Sequence, residues 1–105
     1  MSFYIGYNDE TLSEKGIIDV GRQVKKIQNL EILSLGFWQT NFEEEAYVSV
    51  VKSVSRLPRL KELTLDFSSN NNKFETLMAV IPEEIIRMKS LSKLKVDLGY
   101  NNINF

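Results

Sequence analysis

A chain of 105 residues with 43% hydrophobic side chains has the material for one core, and its 13 basic against 14 acidic residues, formal charge −1, exclude the positive field on which nucleic-acid affinity rests. It contains no cysteine and no histidine, which excludes disulfides, thiol or imidazole catalysis and the zinc sets built from those residues. No basic leader pattern and no apolar run of bilayer length occur, so a soluble, cytoplasmic protein without membrane association is expected.

The chain opens on Met1-x-Phe3-x-Ile5-x-x-Asn8, a short strand-like run that reads as a truncated copy of later segments. Turn-prone Asn8-Asp9 and Thr11 to Ser13 then lead into a helix, in which Ile17, Val20, Val24 and Ile27 form one apolar stripe. Gly21 within it marks a close helix contact. The second copy, Leu30-x-x-Leu33-x-Leu35-x-Phe37-x-x-Thr40, alternates with the period of a strand wet on one face. Its helix carries Tyr47, Val50, Val54 and Leu57, begins at the solvated acidic run Glu43-Glu44-Glu45 and closes at Pro58.

The third copy, Leu60-x-x-Leu63-x-Leu65-x-Phe67-x-x-Asn70, is followed by the turn Ser68 to Asn72 and by the stripe Met78, Ile81, Ile85 and Met88. Pro82 interrupts that stripe, which predicts either a helix starting near Ile81 after an irregular lead-in over 74–80 or a kink. A fourth copy, Leu91-x-x-Leu94-x-Val96-x-Leu98-x-x-Asn101, ends the pattern. Aligning Ile5 with Phe37, Phe67 and Leu98 gives steps of roughly 30 to 32 residues, the mark of a repeat architecture. One domain over 1–105 is expected, with units 1–29, 30–59, 60–90 and a partial 91–105. Alternating strands and helices predict an α/β fold with parallel strands. Helices on both faces would bury Asp66, Lys95 and Asp97, so a one-sided solenoid is expected: about four strands on the concave side and three helices on the convex side.

Leu-x-x-Leu-x-Leu-x-x-(Phe/Leu), followed by an asparagine position and a helix, resembles leucine-rich repeats, and a period near 30 resembles their long, ribonuclease-inhibitor-like subtype. The resemblance implies a short horseshoe arc and an asparagine ladder. Its positions here are Asn8, Asn70 and Asn101, with Thr40 departing from the pattern and loosening its turn. Phe42 and Phe74 are expected beneath the loops.

The family's usual binding surface is the concave sheet face, and the residues expected there are Tyr4, Ser34, Trp38, Glu62, Thr64, Asp66, Lys93, Lys95 and Asp97. The alternation groups Tyr4 with Gly36, Asp66 and Asp97, and Ser2 with Ser34, Thr64 and Lys95; Ile32, Glu62 and Lys93 form the next column. Trp38, placed with Gly6, Ser68 and Gly99, is read either as an exposed anchor for a partner or as a lid over Phe42. Tyr7 and Tyr100 either extend that edge or pack turns. The apolar end formed by Leu94, Val96, Leu98, Ile103 and Phe105 invites a homo- or hetero-oligomer through the last strand.

The expectation is a non-enzymatic protein-interaction module or small assembly subunit, with no cofactor, metal or catalytic residue, binding an unidentified protein. An enzyme inhibitor or substrate adaptor is the alternative on the same fold. A carboxylate-based, metal-dependent enzyme using Asp66 and Asp97 is a remote one.

Overall fold

The computed structural model describes residues 2–8, 13–38 and 40–101, with the backbone alone at 2, 3 and 5–8. It is a small α/β protein, 33 × 31 × 17 Å across, with three helices among the described residues and an open parallel sheet. The strands β2 (Ile32–Trp38), β3 (Glu62–Asp66) and β4 (Lys93–Asp97) run parallel, and the backbone of β1 (Ser2–Asn8) lies parallel beside β2. The helices are α1 (Glu14–Lys25), α2 (Glu44–Val54) and α3 (Glu75–Ile85).

Each strand sorts its side chains by the two-residue period. Leu33, Leu35, Leu63 and Leu65 are buried and share one core with Ile17 and Val24 of α1, Tyr47, Val50 and Val54 of α2 and Leu77 of α3. Their neighbours Ser34, Glu62, Thr64 and Asp66 remain partly exposed. Gly21 sits where α1 meets α2: a Cβ there would lie 3.3 Å from Ser53 Cβ, tight enough to explain the missing side chain.

The register is regular: Ser2 pairs with Ile32, Ile32 with Glu62 and Glu62 with Lys93, offsets of 30, 30 and 31 residues. It corrects the expected alignment of the first copy, since Ile5 pairs with Leu35 and Asn8 with Trp38. Asn8 therefore falls two residues short of the position of Thr40. Tyr4 belongs with Ser34, Thr64 and Lys95, Gly6 joins Gly36, Asp66 and Asp97, and Ser2 aligns with Ile32 rather than Ser34. The side chains of Tyr7 and Asn8, and residues 102–105 with Ile103 and Phe105, lie outside what the structure describes.

The third helix departs from expectation. It is helical from Glu75 through Pro82 to Ile85, so no irregular lead-in over 75–80 exists. Its start is fixed by Phe74, which is fully buried and holds a left-handed backbone at φ 51°. The core position of Ile17 and Tyr47 recurs after another 30 residues at Leu77, which is buried, leaving Met78 39% exposed. The one-residue surplus of the third unit is absorbed afterwards, before Met88. Glu84 thereby lands 30 residues after Val54 and is buried, where it accepts a hydrogen bond from Ser55 Oγ at 2.8 Å.

The strand-to-helix turns are tied together by asparagine. Asn70, 1% exposed, donates through Nδ2 to the carbonyls of Phe37 and Phe67 at 2.6 and 2.8 Å. Its Oδ1 accepts from Thr40 N, Thr40 Oγ1 and Asn41 N at 2.7, 2.9 and 3.0 Å. Asn101 repeats this one unit on, donating to Phe67 O and Leu98 O and accepting from Asn70 N and Asn72 N. Thr40 is not loosely held: it is 8% exposed, and its Oγ1 lies 2.6 Å from the Tyr47 hydroxyl. Phe74 packs edge-on against Tyr47 at 5.4 Å, and Phe42 lies 6.5 Å from the same ring.

Candidate functional site

The side of the sheet opposite the core is built from short or charged side chains whose positions the strand backbone sets. Its centre is Gly36. A Cβ there would stand 2.5 Å from Trp38 Cζ3 and 2.9 Å from Cε3, so the indole lies back along its own strand, directly over the glycine. Trp38 and Gly36 are two residues apart and hence on one face. The indole is half-buried by this contact rather than standing free at the strand end, and it lies over Gly36 rather than over Phe42.

The indole forms one wall of a shallow groove of about 340 Å³, whose lining includes Tyr4, Ser34, Gly36, Thr64 and Asp66. Tyr4 is 69% exposed. Five of the nine residues expected at the site are thus brought together. Glu62, Lys93, Lys95 and Asp97 occupy the same face in register but do not line the groove. Glu62 and Lys93 form an ion pair at 3.3 Å, while Lys95 and Asp97 are exposed.

Asp66 and Asp97 are neighbours across β3 and β4 and are held alike: Oδ1 of Asp66 accepts from Ser68 N at 2.9 Å, and Oδ1 of Asp97 from Gly99 N at 2.8 Å. These contacts fix the Asp66 carboxylate at the groove's rim and that of Asp97 beside it on the next strand, suited to meeting a cationic or hydrogen-bond-donating group. Among the described residues no three of His, Cys, Asp and Glu converge as metal donors.

A larger hollow of about 410 Å³ lies among the helices, between Lys25, Glu44, Val48, Lys52, Arg56 and Thr76. Its rim is made of long, flexible charged side chains, so its shape is not fixed as the sheet groove is. Tyr100, 91% exposed in a left-handed turn, packs no turn and stands clear of the groove. Sequence reasoning missed Gly36 as the seat of the indole; the signal was available in the Gly36-x-Trp38 spacing. It also missed Glu44, whose Oε2 accepts from Leu77 N at 2.7 Å and so caps the next helix instead of being merely solvated.

No family model matches this chain, and no curated protein and no solved structure is significantly similar to it. No helix of the described residues is long and apolar enough to cross a membrane.

Proposed function

We propose that the chain is a leucine-rich-repeat-type solenoid whose three helices back a concave sheet, and that it acts as a non-enzymatic protein-interaction module. The repeated asparagine bonds at Asn70 and Asn101 support the repeat reading, because each joins one turn to the next at the repeat spacing. The binding reading is carried by the groove: an indole seated on a glycine beside an exposed tyrosine, with hydroxyls and a carboxylate around it. Aromatic side chains pre-set in this way are the usual anchors of protein interfaces. The partner presents an extended or protruding segment with basic or amide side chains toward Asp66 and Asp97.

The test is affinity capture with the intact chain, Trp38→Ala, and the double reversal Asp66→Lys/Asp97→Lys, each checked for unchanged circular dichroism. A partner that the native chain retains and both variants release supports the reading. Equal retention by all three refutes it.

A further inference from the structure

On the sheet face, Asp66 carries a charge that its surroundings leave unanswered. Among the described residues no ion pair includes Asp66 or Lys95, although Lys93 on the same face pairs with Glu62. Asp66 uses Oδ1 to accept from Ser68 N, and Oδ2 has no described partner. The indole of Trp38 lies close by: a Cβ on Gly36 would stand 2.5 Å from the ring and 3.7 Å from Asp66 Cβ, so ring and carboxylate flank one glycine. The register sets Gly36 opposite Asp66, and Ser34 opposite both Tyr4 and Thr64. Tyr4 and Asp66 thus stand on the strands to either side of β2, separated by two strand spacings, roughly 10 Å across the sheet. The hydroxyls of Ser34 and Thr64 lie between them, and neither has a hydrogen-bond partner among the described residues.

Two aromatic rings, an unused carboxylate oxygen and two hydroxyl acceptors around one groove suit a flat cation. The rings attract positive charge, the carboxylate takes a charge-assisted hydrogen bond, and the hydroxyl lone pairs accept further N–H groups. A guanidinium meets all of these together, because it is planar, stacks on aromatic rings and spreads five N–H donors in its own plane. An ammonium does not stack, and it holds its water more strongly, which counts against it in a groove this shallow. Lys95 stands beyond Thr64 in register and repels a second cation there, so the guanidinium is seated over β2. We propose that the groove receives an arginine side chain of the partner, stacked on Trp38 with Tyr4 flanking it, and donating to Asp66 Oδ2 and to the hydroxyls of Ser34 and Thr64. This deepens the function proposed above and rests on it, since it names the chemical group that the sheet face recognises.

The experiment is a nuclear magnetic resonance titration of the intact, isotope-labelled chain at constant ionic strength. The probes are N-acetyl-arginine methylamide, its lysine counterpart, and the citrulline counterpart, which keeps the planar shape and loses the charge. Arginine is expected to shift the Trp38 indole N–H and the Gly36 and Thr64 amides saturably. Citrulline is expected to bind roughly tenfold more weakly, and lysine several-fold more weakly than arginine. Asp66→Asn keeps the acceptor for Ser68 N while removing the charge, and lowers arginine affinity several-fold; Asp97→Asn, outside the groove, leaves it unchanged. Trp38→Ala abolishes the saturable shifts at Gly36 and Thr64, with circular dichroism verifying the fold, and Asp66→Asn keeps the test decisive if that variant does not fold. The inference is overturned by the absence of saturable shifts at these groups up to the solubility of the probe, by citrulline binding as well as arginine, or by equal losses in Asp66→Asn and Asp97→Asn. Partner release by the variants of the capture experiment without arginine selectivity overturns this inference and leaves the binding face standing. Arginine selectivity with equal partner retention does the reverse.

Discussion

The phenol of Tyr47 supplies the proton that Thr40 needs. Thr40 Oγ1 donates its single proton to Asn70 Oδ1 at 2.9 Å, so at 2.6 Å it must accept from the Tyr47 hydroxyl, whose oxygen in turn accepts from Phe42 N at 3.1 Å. A side chain from the helix thus completes a turn in which threonine offers fewer bonds than asparagine. Tyr47→Phe leaves Phe42 N and Thr40 Oγ1 short of partners and is expected to cost about 1–3 kcal/mol in a urea titration. Thr40→Ala falls in the same range, and the double variant costs less than the two effects added, because one network is lost only once.

The same group sets an alkaline limit on stability. Burial pushes the Tyr47 phenol above its ordinary 10.0, outweighing the Thr40 and Phe42 hydrogen bonds that pull it down. A raised value means that the folded chain holds its proton more tightly than the unfolded one, so this contribution is intact below about pH 10 and is lost as pH climbs toward the folded value. Urea midpoints of the native chain measured from pH 8 to 11 are expected to fall more steeply above about pH 10 than those of Tyr47→Phe.

Asn70→Asp discriminates between the two halves of the asparagine bond set. The carboxylate keeps the acceptor for Thr40 and Asn41 but presents an anion to the carbonyls of Phe37 and Phe67 at a site 1% exposed. A loss of about 3 kcal/mol or more is expected in thermal or urea unfolding. The matching Asn101→Asp, at a partly exposed turn, costs less.

Gly36→Ala tests the seat of the indole without touching the core. The added methyl would lie 2.5 Å from the ring, so the ring must lift while the strand backbone stays. Tryptophan emission, which in this chain comes from Trp38 alone, is expected to shift to longer wavelength, with the far-ultraviolet circular dichroism unchanged. Unchanged emission would place the indole elsewhere.

How much of this was legible in the sequence depended on whether a residue's neighbours repeat. Leu33, Leu35, Leu63 and Leu65 alternate cleanly, and they form strands with the expected face buried. Asn70 and Asn101 recur at one spacing and make the same bonds. The first copy misled because Met1 to Asn8 contains too few apolar residues to choose between two settings two residues apart. Only strand pairing, Ile5 with Leu35, selects one. The third helix misled for a different reason: one surplus residue can enter before or after the stripe, and the apolar Met78 fits the pattern as well as Leu77 does. The buried Phe74 decides in favour of Leu77. Buried Glu84 had no signal, since an acid at that place reads as solvated until its hydroxyl partner, Ser55, is seen across the helix pair.

Of the sheet-face residues, the alternation found the face and the columns of the last three copies, and misplaced Tyr4 and Ser2 alone, because their columns depend on that same first-copy register. The seat of the indole was readable in Gly36-x-Trp38 only to an eye looking for the absence of a side chain.

Among the described residues the main strand–strand and helix–helix contacts join successive units, and the turn bonds likewise run from Asn101 to Asn70 to Thr40. The molecule is therefore joined in series, like vertebrae. Each inner unit, the second with β2 and α2 and the third with β3 and α3, is a link whose loss severs the units on its two sides, whereas damage at either extremity stays near that extremity.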